Sequence, residues 1–300
     1  MDMTQNKCCR HGASLRRRRR RRRKILRSII FSCSIIAVAV FVAVGSRMIT
    51  SGDGRKNRYD VEAGNNTYDN AVIENSKISE KNKIQNNQSM LDDIMNSTQY
   101  PKQLKDLALK NEEALEFVYD YPAEHVKEHT IDLTEEVSMD SVPLFVQWDK
   151  RWGYEKYSGN FFAASGCGPT TLSMVVVYLT HDREASPIAV AKYSKEAGYS
   201  VDGSGSSWTL ISEGCRHYGV KAKAVALDES RMKAELDEGH PIVVNVGPGD
   251  FTDTGHFMVI TGYDDEGFSI NDPNSIEKSG KRWLFKNISS QIRAVWSMYV

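Results

Sequence analysis

From Ser28 to Ser46 the chain runs nineteen residues without a charge, SIIFSCSIIAVAVFVAVGS, and Arg47 closes the run. As a helix this stretch would span about 28 Å at roughly 1.5 Å per residue, close to the hydrocarbon thickness of a bilayer. From Ser51 to about Gln99 the composition turns to Asn, Ser, Lys, Asp and Glu with few aromatics. Such a segment cannot bury enough apolar surface to offset its chain entropy, so it predicts a mobile spacer. In residues 101–120, Leu104, Leu107, Ala108, Leu115, Phe117 and Val118 recur at helical spacing, and Tyr121-Pro122 is expected to stop that helix. The pattern changes near Val142, where Phe145, Val146, Trp148, Trp152, Tyr154 and Tyr157 cluster ahead of a glycine-rich turn. Leu172, Met174, Val175, Val176 and Leu179 then predict a largely buried helix with Pro169 in its first turn, where a missing N–H costs nothing. Pro187 to Gly198, Trp208 to Tyr218 and Glu229 to Gly239 read as further helices. Pro241–Val246, His256–Tyr263 and Phe268–Pro273 are short apolar runs that read as strands, the last two joined by the turn Asp264-Asp265-Glu266-Gly267.

A length of 300 residues is a prior for one or two domains. Five cysteines are too few for a disulfide scaffold, and a 40% hydrophobic content excludes wholesale disorder. The formal net charge of zero hides an asymmetry: residues 1–27 carry 12 of the 39 basic residues and a single acid, Asp2. The excess positive charge therefore sits in one short arm, which excludes a generally basic nucleic-acid binder. Arg16 to Arg23 form an unbroken run directly before the apolar stretch. By the positive-inside rule they hold the N-terminus in the cytoplasm and send residues 47–300 outward. The organisation expected is a basic cytoplasmic tail (1–27), a single-pass membrane anchor (28–46), a stalk (47–140) with a short helix near 101–120, and a globular domain (141–300). A cleaved signal peptide, cut at Ser46 after Ala43 and Gly45, is the rival; the apolar core exceeds the usual length of such a segment. The arginines could also bind nucleic acid or anionic lipid, but orientation of the span is the more economical account. Cys8 and Cys9 would lie on the cytoplasmic side, where reduced unpaired thiols are expected rather than acylation.

Two motifs lack the context their chemistry needs. His125-Val126-Lys127-Glu128-His129 matches the H-x-x-E-H pattern of inverted zincins, yet its flanks are polar and Pro122 lies just before it, so solvated histidines are expected rather than a metal site. The loop Asp202-Gly203-Ser204-Gly205-Ser206-Ser207 lacks the Lys-Ser/Thr of a phosphate loop and is expected to cap the following helix or border a cleft.

One constellation does carry chemistry. In Ala164-Ser165-Gly166-Cys167-Gly168-Pro169-Thr170, Cys167 falls at a helix N-terminus, where unpaired N–H groups and the positive dipole end favour the thiolate. Gly166 and Gly168 are small enough to let a substrate backbone approach. The partner of such a thiol is a histidine elsewhere in the sequence. Of seven histidines, only His256 opens a strongly apolar run, in Thr254-Gly255-His256-Phe257-Met258-Val259-Ile260. Asp272 ends the next strand, where it could accept a hydrogen bond from the second imidazole nitrogen. Asn271 should point to the opposite face by strand alternation. Gln147, twenty residues before the cysteine, could donate its side-chain amide to an oxyanion alongside the Cys167 backbone N–H. Cys215 lies within a helix, where a buried free thiol is the default.

Taken together, Gln147, Ser165-Gly166-Cys167-Gly168-Pro169-Thr170, Gly255-His256 and Asn271-Asp272-Pro273 resemble the C39-like cysteine peptidases, a papain-like group, over roughly residues 142–300. The resemblance implies an α+β, papain-like fold: a helical part bearing the cysteine helix, then an antiparallel sheet bearing histidine and aspartate. It also implies Cys167 as nucleophile, His256 as base, Asp272 as its orienting residue and Gln147 as oxyanion donor. Better-known members process double-glycine leader peptides and are fused to an ABC transporter; this sequence carries neither a multi-span region nor an ATPase. The expectation is therefore a membrane-anchored, extracytoplasmic cysteine peptidase that hydrolyses a peptide or protein substrate through a thioester. It would work as a monomer, without cofactor, metal or nucleic acid. Three alternatives stay open: a cell-wall peptide amidase or transpeptidase with the same residues, a non-catalytic peptide-binding module, and a structural Cys167–Cys215 disulfide that would remove the nucleophile.

Overall fold

The computed structural model of the chain describes the backbone of residues 66–300 and the side chains from residue 79 onward. The expected membrane span and arginine run lie outside the described residues. The chain divides into two units, Met1–Asn70 and Ala71–Val300, and the sheet and candidate site described below lie in the second. Among the described residues, no helix is long and apolar enough to cross a membrane.

The main sheet is antiparallel and has six strands: β1 (Lys221–Ala224), β2 (Ile242–Val246), β3 (His256–Asp264), β4 (Gly267–Asn271), β5 (Arg282–Trp283) and β6 (Ile292–Tyr299), in the order β1-β6-β2-β3-β4-β5. Strands β2 and β3 are the central pair, and nearly every residue of β2 and of the first half of β3 is buried, as their continuous apolar runs require. Alternation sorts the side chains to two cores. Val243, Phe257, Val259 and Met298 pack against helix α2 (Cys167–Thr180). Ile242, Val244, Met258, Ile260 and Ile270 form a second cluster with Met232 of α4 (Glu229–Asp237). In α2 the residues Gly168 to Val177 are all buried, the pattern of a helix that is apolar on every side. Helix α3 (Pro187–Glu196) packs on it, started by the Ser186 hydroxyl, which accepts from the Ala189 N–H.

Three expectations need correction. Residues Asn66–Asn96, inside the stretch expected to be a mobile spacer, form helix α1. Its last turns are fixed by tertiary packing: Ile94 is fully buried, with Met90 and Leu91 beside it, against Leu104, Leu107 and Leu115. The single helix expected over 101–120 is broken into Lys102–Lys110, a 3-10 turn at Glu112–Ala114 and Leu115–Tyr119. Asn111 makes the break, leaving the helical region and accepting from the Glu113 N–H. The last piece does end just before Tyr121-Pro122, as expected, and Pro122 then sits in the first turn of a new short helix, Tyr121–Glu124, which its fixed φ allows. The helix expected from Trp208 to Tyr218 is likewise two pieces, Thr209–Ser212 and a 3-10 segment Gly214–Tyr218.

Candidate active site

Cys167 is the first residue of α2. A four-residue helical turn, Phe162–Ser165, precedes it, and the Gly166 N–H closes that turn on the Phe162 carbonyl at 2.7 Å. The chain thus bends at Gly166 and starts a new helix whose first residue is partly exposed while the next ten are buried. The two flanking glycines do a different job from the one expected. A Cβ on Gly166 would lie 2.6 Å from the Phe162 ring, and one on Gly168 would lie 2.5 Å from the Ser206 hydroxyl. The space is already taken by protein, so both glycines serve close packing around the thiol rather than substrate approach. Ser206 in turn is held by the Tyr157 hydroxyl at 2.6 Å, so the 202–207 loop does border the start of the cysteine helix.

His256 is the first residue of β3, paired with Val246 of β2 and 6% exposed. Its Nε2 lies 2.7 Å from Asp272 Oδ1. The Cys167 thiol is within hydrogen-bonding reach of the same imidazole. Since Nε2 is occupied by the carboxylate, Nδ1 is the nitrogen left for the sulfur. Asp272 is fully buried just beyond β4, and its Oδ1 also accepts from the Asn274 N–H at 2.8 Å. Asn271 points elsewhere, as alternation requires: its amide donates to the Val142 and Pro143 carbonyls at 3.1 and 3.0 Å. Gln147 is buried too, and its Nε2 donates one hydrogen to the Ala163 carbonyl at 2.7 Å. That bond fixes the amide next to the cysteine turn and leaves the second amide hydrogen available to a ligand.

The electrostatics favour an ion pair. Burial alone would raise the Cys167 thiol pKa, but the hydrogen bond and charge of His256, with the Phe257 and Gly168 N–H groups, outweigh it and hold the thiol below its ordinary range. Burial alone would lower the His256 imidazole; the Asp272 charge and hydrogen bond, joined by the contact with Cys167, raise it above its ordinary range instead. The two directions agree, since each group in its charged form stabilises the other. Chemically, the arrangement can present a nucleophilic sulfur, return a proton to a leaving group and offer an amide N–H to a developing oxyanion.

The structure therefore brings Cys167, His256 and Asp272 together, with Gln147 beside the cysteine turn. The residues that sequence reasoning missed are backbone donors and turn-formers. The Phe257 N–H toward the sulfur follows from β3 register, and the Asn274 N–H on Asp272 was signalled only by the turn-prone run Asp272-Pro273-Asn274-Ser275. Cys167 and Cys215 are both free thiols, so the disulfide alternative is corrected: Cys215 is fully buried, and burial pushes its thiol up to about 11. The His125 and His129 imidazoles turn to backbone carbonyls, those of Tyr121 at 2.5 Å and Glu124 at 3.2 Å, which uses them in local structure.

The site thus sets a thiol at a helix N-terminus against a strand-borne histidine and a buried aspartate. Residues 139–300 match the Peptidase_C39 like family, and the chain belongs to that family. Solved structures that resemble it include the following two. The peptidase domain of Streptococcus ComA, a bi-functional ABC transporter involved in a quorum sensing pathway, shares 20% identity at a TM-score of 0.37, covering 45% of this chain and 90% of that one. A chain described as a C39-like peptidase from Bacillus anthracis shares 16% identity at a TM-score of 0.34, covering 53% and 95% respectively. No curated protein matches the chain.

Proposed function

We propose that this chain is a cysteine peptidase in which Cys167 attacks a peptide carbonyl as the thiolate, held outside the cytoplasm by a membrane span at residues 28–46. The observation that carries the catalytic part is the 2.7 Å bond from His256 to Asp272 on an imidazole that also meets the Cys167 thiol. A merely structural histidine would not need a partly exposed sulfur on its other nitrogen. His256 as imidazolium protonates the leaving amine, and the Gln147 amide with the Cys167 N–H stabilises the tetrahedral oxyanion. Water then hydrolyses the thioester, with His256 taking the proton as base. Asp272 holds the ring in orientation and stabilises its charged form. The anchor reading rests on the uncharged run and the arginines before it.

The test is to incubate the full chain and its Cys167→Ala variant with a peptide library and with cell-wall fragments, and to identify products by mass spectrometry. Cleavage of peptides by the parent and not by the variant supports the proposal. Products from cell-wall fragments alone move the substrate class to amide bonds of the wall, and no product from either with an unreactive Cys167 rejects catalysis. Protease accessibility of residues 79–300 in sealed membrane vesicles tests the orientation.

A further inference from the structure

We propose that the segment Lys102–Tyr119, which precedes the family-matched residues, is a positioning arm for Asp272, and that Glu113 is the residue through which it acts. This rests on the catalytic reading above. Asp272 is followed by a sharp turn, bridged from Asp272 to Ser275, and then by a helix of only four residues, Ile276–Ser279. A single helical turn does not hold itself in water, so its position must be supplied by something else. Glu113 supplies it. One carboxylate oxygen accepts from the Ile276 and Glu277 N–H groups at 2.7 and 3.1 Å, and the other accepts from the Ser275 hydroxyl. Asn111 adds a grip one residue earlier, its amide donating to the Asn274 carbonyl at 2.9 Å.

The turn held in this way is wired to the acid. The Asn274 N–H donates to Asp272 Oδ1, the same oxygen that meets His256, and the Asp272 N–H donates to the Ser279 hydroxyl at 2.9 Å. A shift of the 274–279 turn is thus a shift of the carboxylate against the imidazole. The arm's own position is fixed on the other side of the site, where Leu104, Leu115 and Phe117 pack with Phe161 and Ala163. Ala163 is the residue whose carbonyl holds Gln147. Glu113 touches no reacting atom; it acts through Asp272 alone.

The consequence is a loss of ion-pair stability, which appears as a change in the pH profile of the thiol. The rate of Cys167 alkylation by iodoacetamide is followed against pH in the full chain, with peptide mapping, for the parent, Glu113→Ala and Glu113→Gln, and folding is checked by circular dichroism. In Glu113→Ala the acid limb should move up by about one pH unit, so that the rate on that limb falls about tenfold. Glu113→Gln, which keeps one acceptor oxygen at the same reach, should lie between. A Glu113→Ala profile that superimposes on the parent, or that falls equally at every pH, overturns the proposal. If Glu113→Ala does not fold, the Glu113→Gln profile decides by the same criterion. Should Cys167 of the parent itself react as an ordinary thiol, the catalytic reading falls and this inference with it; a parent with an acid-shifted profile and an unmoved variant defeats the arm alone.

Discussion

The Gln147 backbone N–H donates to the Pro273 carbonyl at 2.7 Å, so the segment carrying the proposed oxyanion donor is stitched to the turn just after the proposed orienting acid. Asn271 adds a second stitch through the Val142 and Pro143 carbonyls. Together these bonds explain how residues far apart in sequence come to one place: the Asn271-Asp272-Pro273 tripeptide uses its middle side chain for His256 and its two flanks for the approach to Gln147.

For Gln147→Ala the expected outcome is a kcat lower by about 10²–10³ with KM little changed, the usual cost of one donor that acts only on the transition state. The substitution also leaves the buried Ala163 carbonyl without its partner, at about 1–3 kcal/mol of stability. Steady-state kinetics well below the variant's melting temperature separate the two effects. An unchanged kcat would remove Gln147 from the mechanism.

Replacing Asp272 by Asn tests the ion pair through pH. The Cys167 thiol is held low and the His256 imidazole is held high, so thiolate and imidazolium coexist between the two. As pH falls through the lowered thiol pKa the nucleophile is lost; as pH rises through the raised imidazole pKa the proton for the leaving group is lost. A neutral amide at 272 no longer stabilises the imidazolium, so the acid limb of kcat/KM should move up and the basic limb down. On either limb each unit of movement is worth about tenfold in rate, while turnover at the centre of the window remains measurable. A bell-shaped profile identical to the parent's would mean that the carboxylate does not tune the ring.

Much of the site was legible because its parts lie on regular elements. Pro169 and the apolar run after it place Cys167 at a helix start, and strand alternation sends Asn271 and Asp272 to different partners. The surrounding support was not legible, because it is made of backbone groups and turns. Nothing in the spacing of Asn111 and Glu113 says that they will meet Asn274 to Glu277, more than 160 residues away. The break at Asn111 within an apparently continuous helical pattern, and the ordering of a polar helix by Met90, Leu91 and Ile94, are likewise tertiary effects that override local composition.

Thiol labelling should separate the two cysteines of the described unit. Cys215 is fully buried and its thiol is pushed up to about 11, so at pH 7 about one molecule in 10⁴ would be ionised there even before access is considered. Cys167 is partly exposed with a lowered thiol pKa. Brief treatment of the folded chain with iodoacetamide, read by peptide mapping to distinguish all five cysteines, should modify Cys167 and leave Cys215 intact. Equal modification of the two under native conditions would contradict the assigned environment of Cys167.

Gly166 forms the bend before the proposed nucleophile. A Cβ there would meet three atoms of the Phe162 ring at 2.6–2.7 Å. Phe162 is fully buried, edge-on to Tyr157 at 6.0 Å between centroids, so the ring has no open space to retreat into. Gly166→Ala should therefore cost about 1–3 kcal/mol, the range for inserting a methyl into a packed core. That corresponds to a Tm lower by roughly 2–12 °C for a unit of this size. Gly262→Ala is the matched control: a Cβ on that glycine would have nothing within 4 Å, its backbone is not left-handed, and the variant's Tm should stay within about 1–2 °C of the parent. Because the displaced ring carries the turn that ends at Cys167, Gly166→Ala should also slow iodoacetamide alkylation of Cys167, whereas Gly262→Ala should not. Calorimetry and labelling on the two variants check both halves, and equal melting temperatures for the pair would show that Phe162 can yield after all.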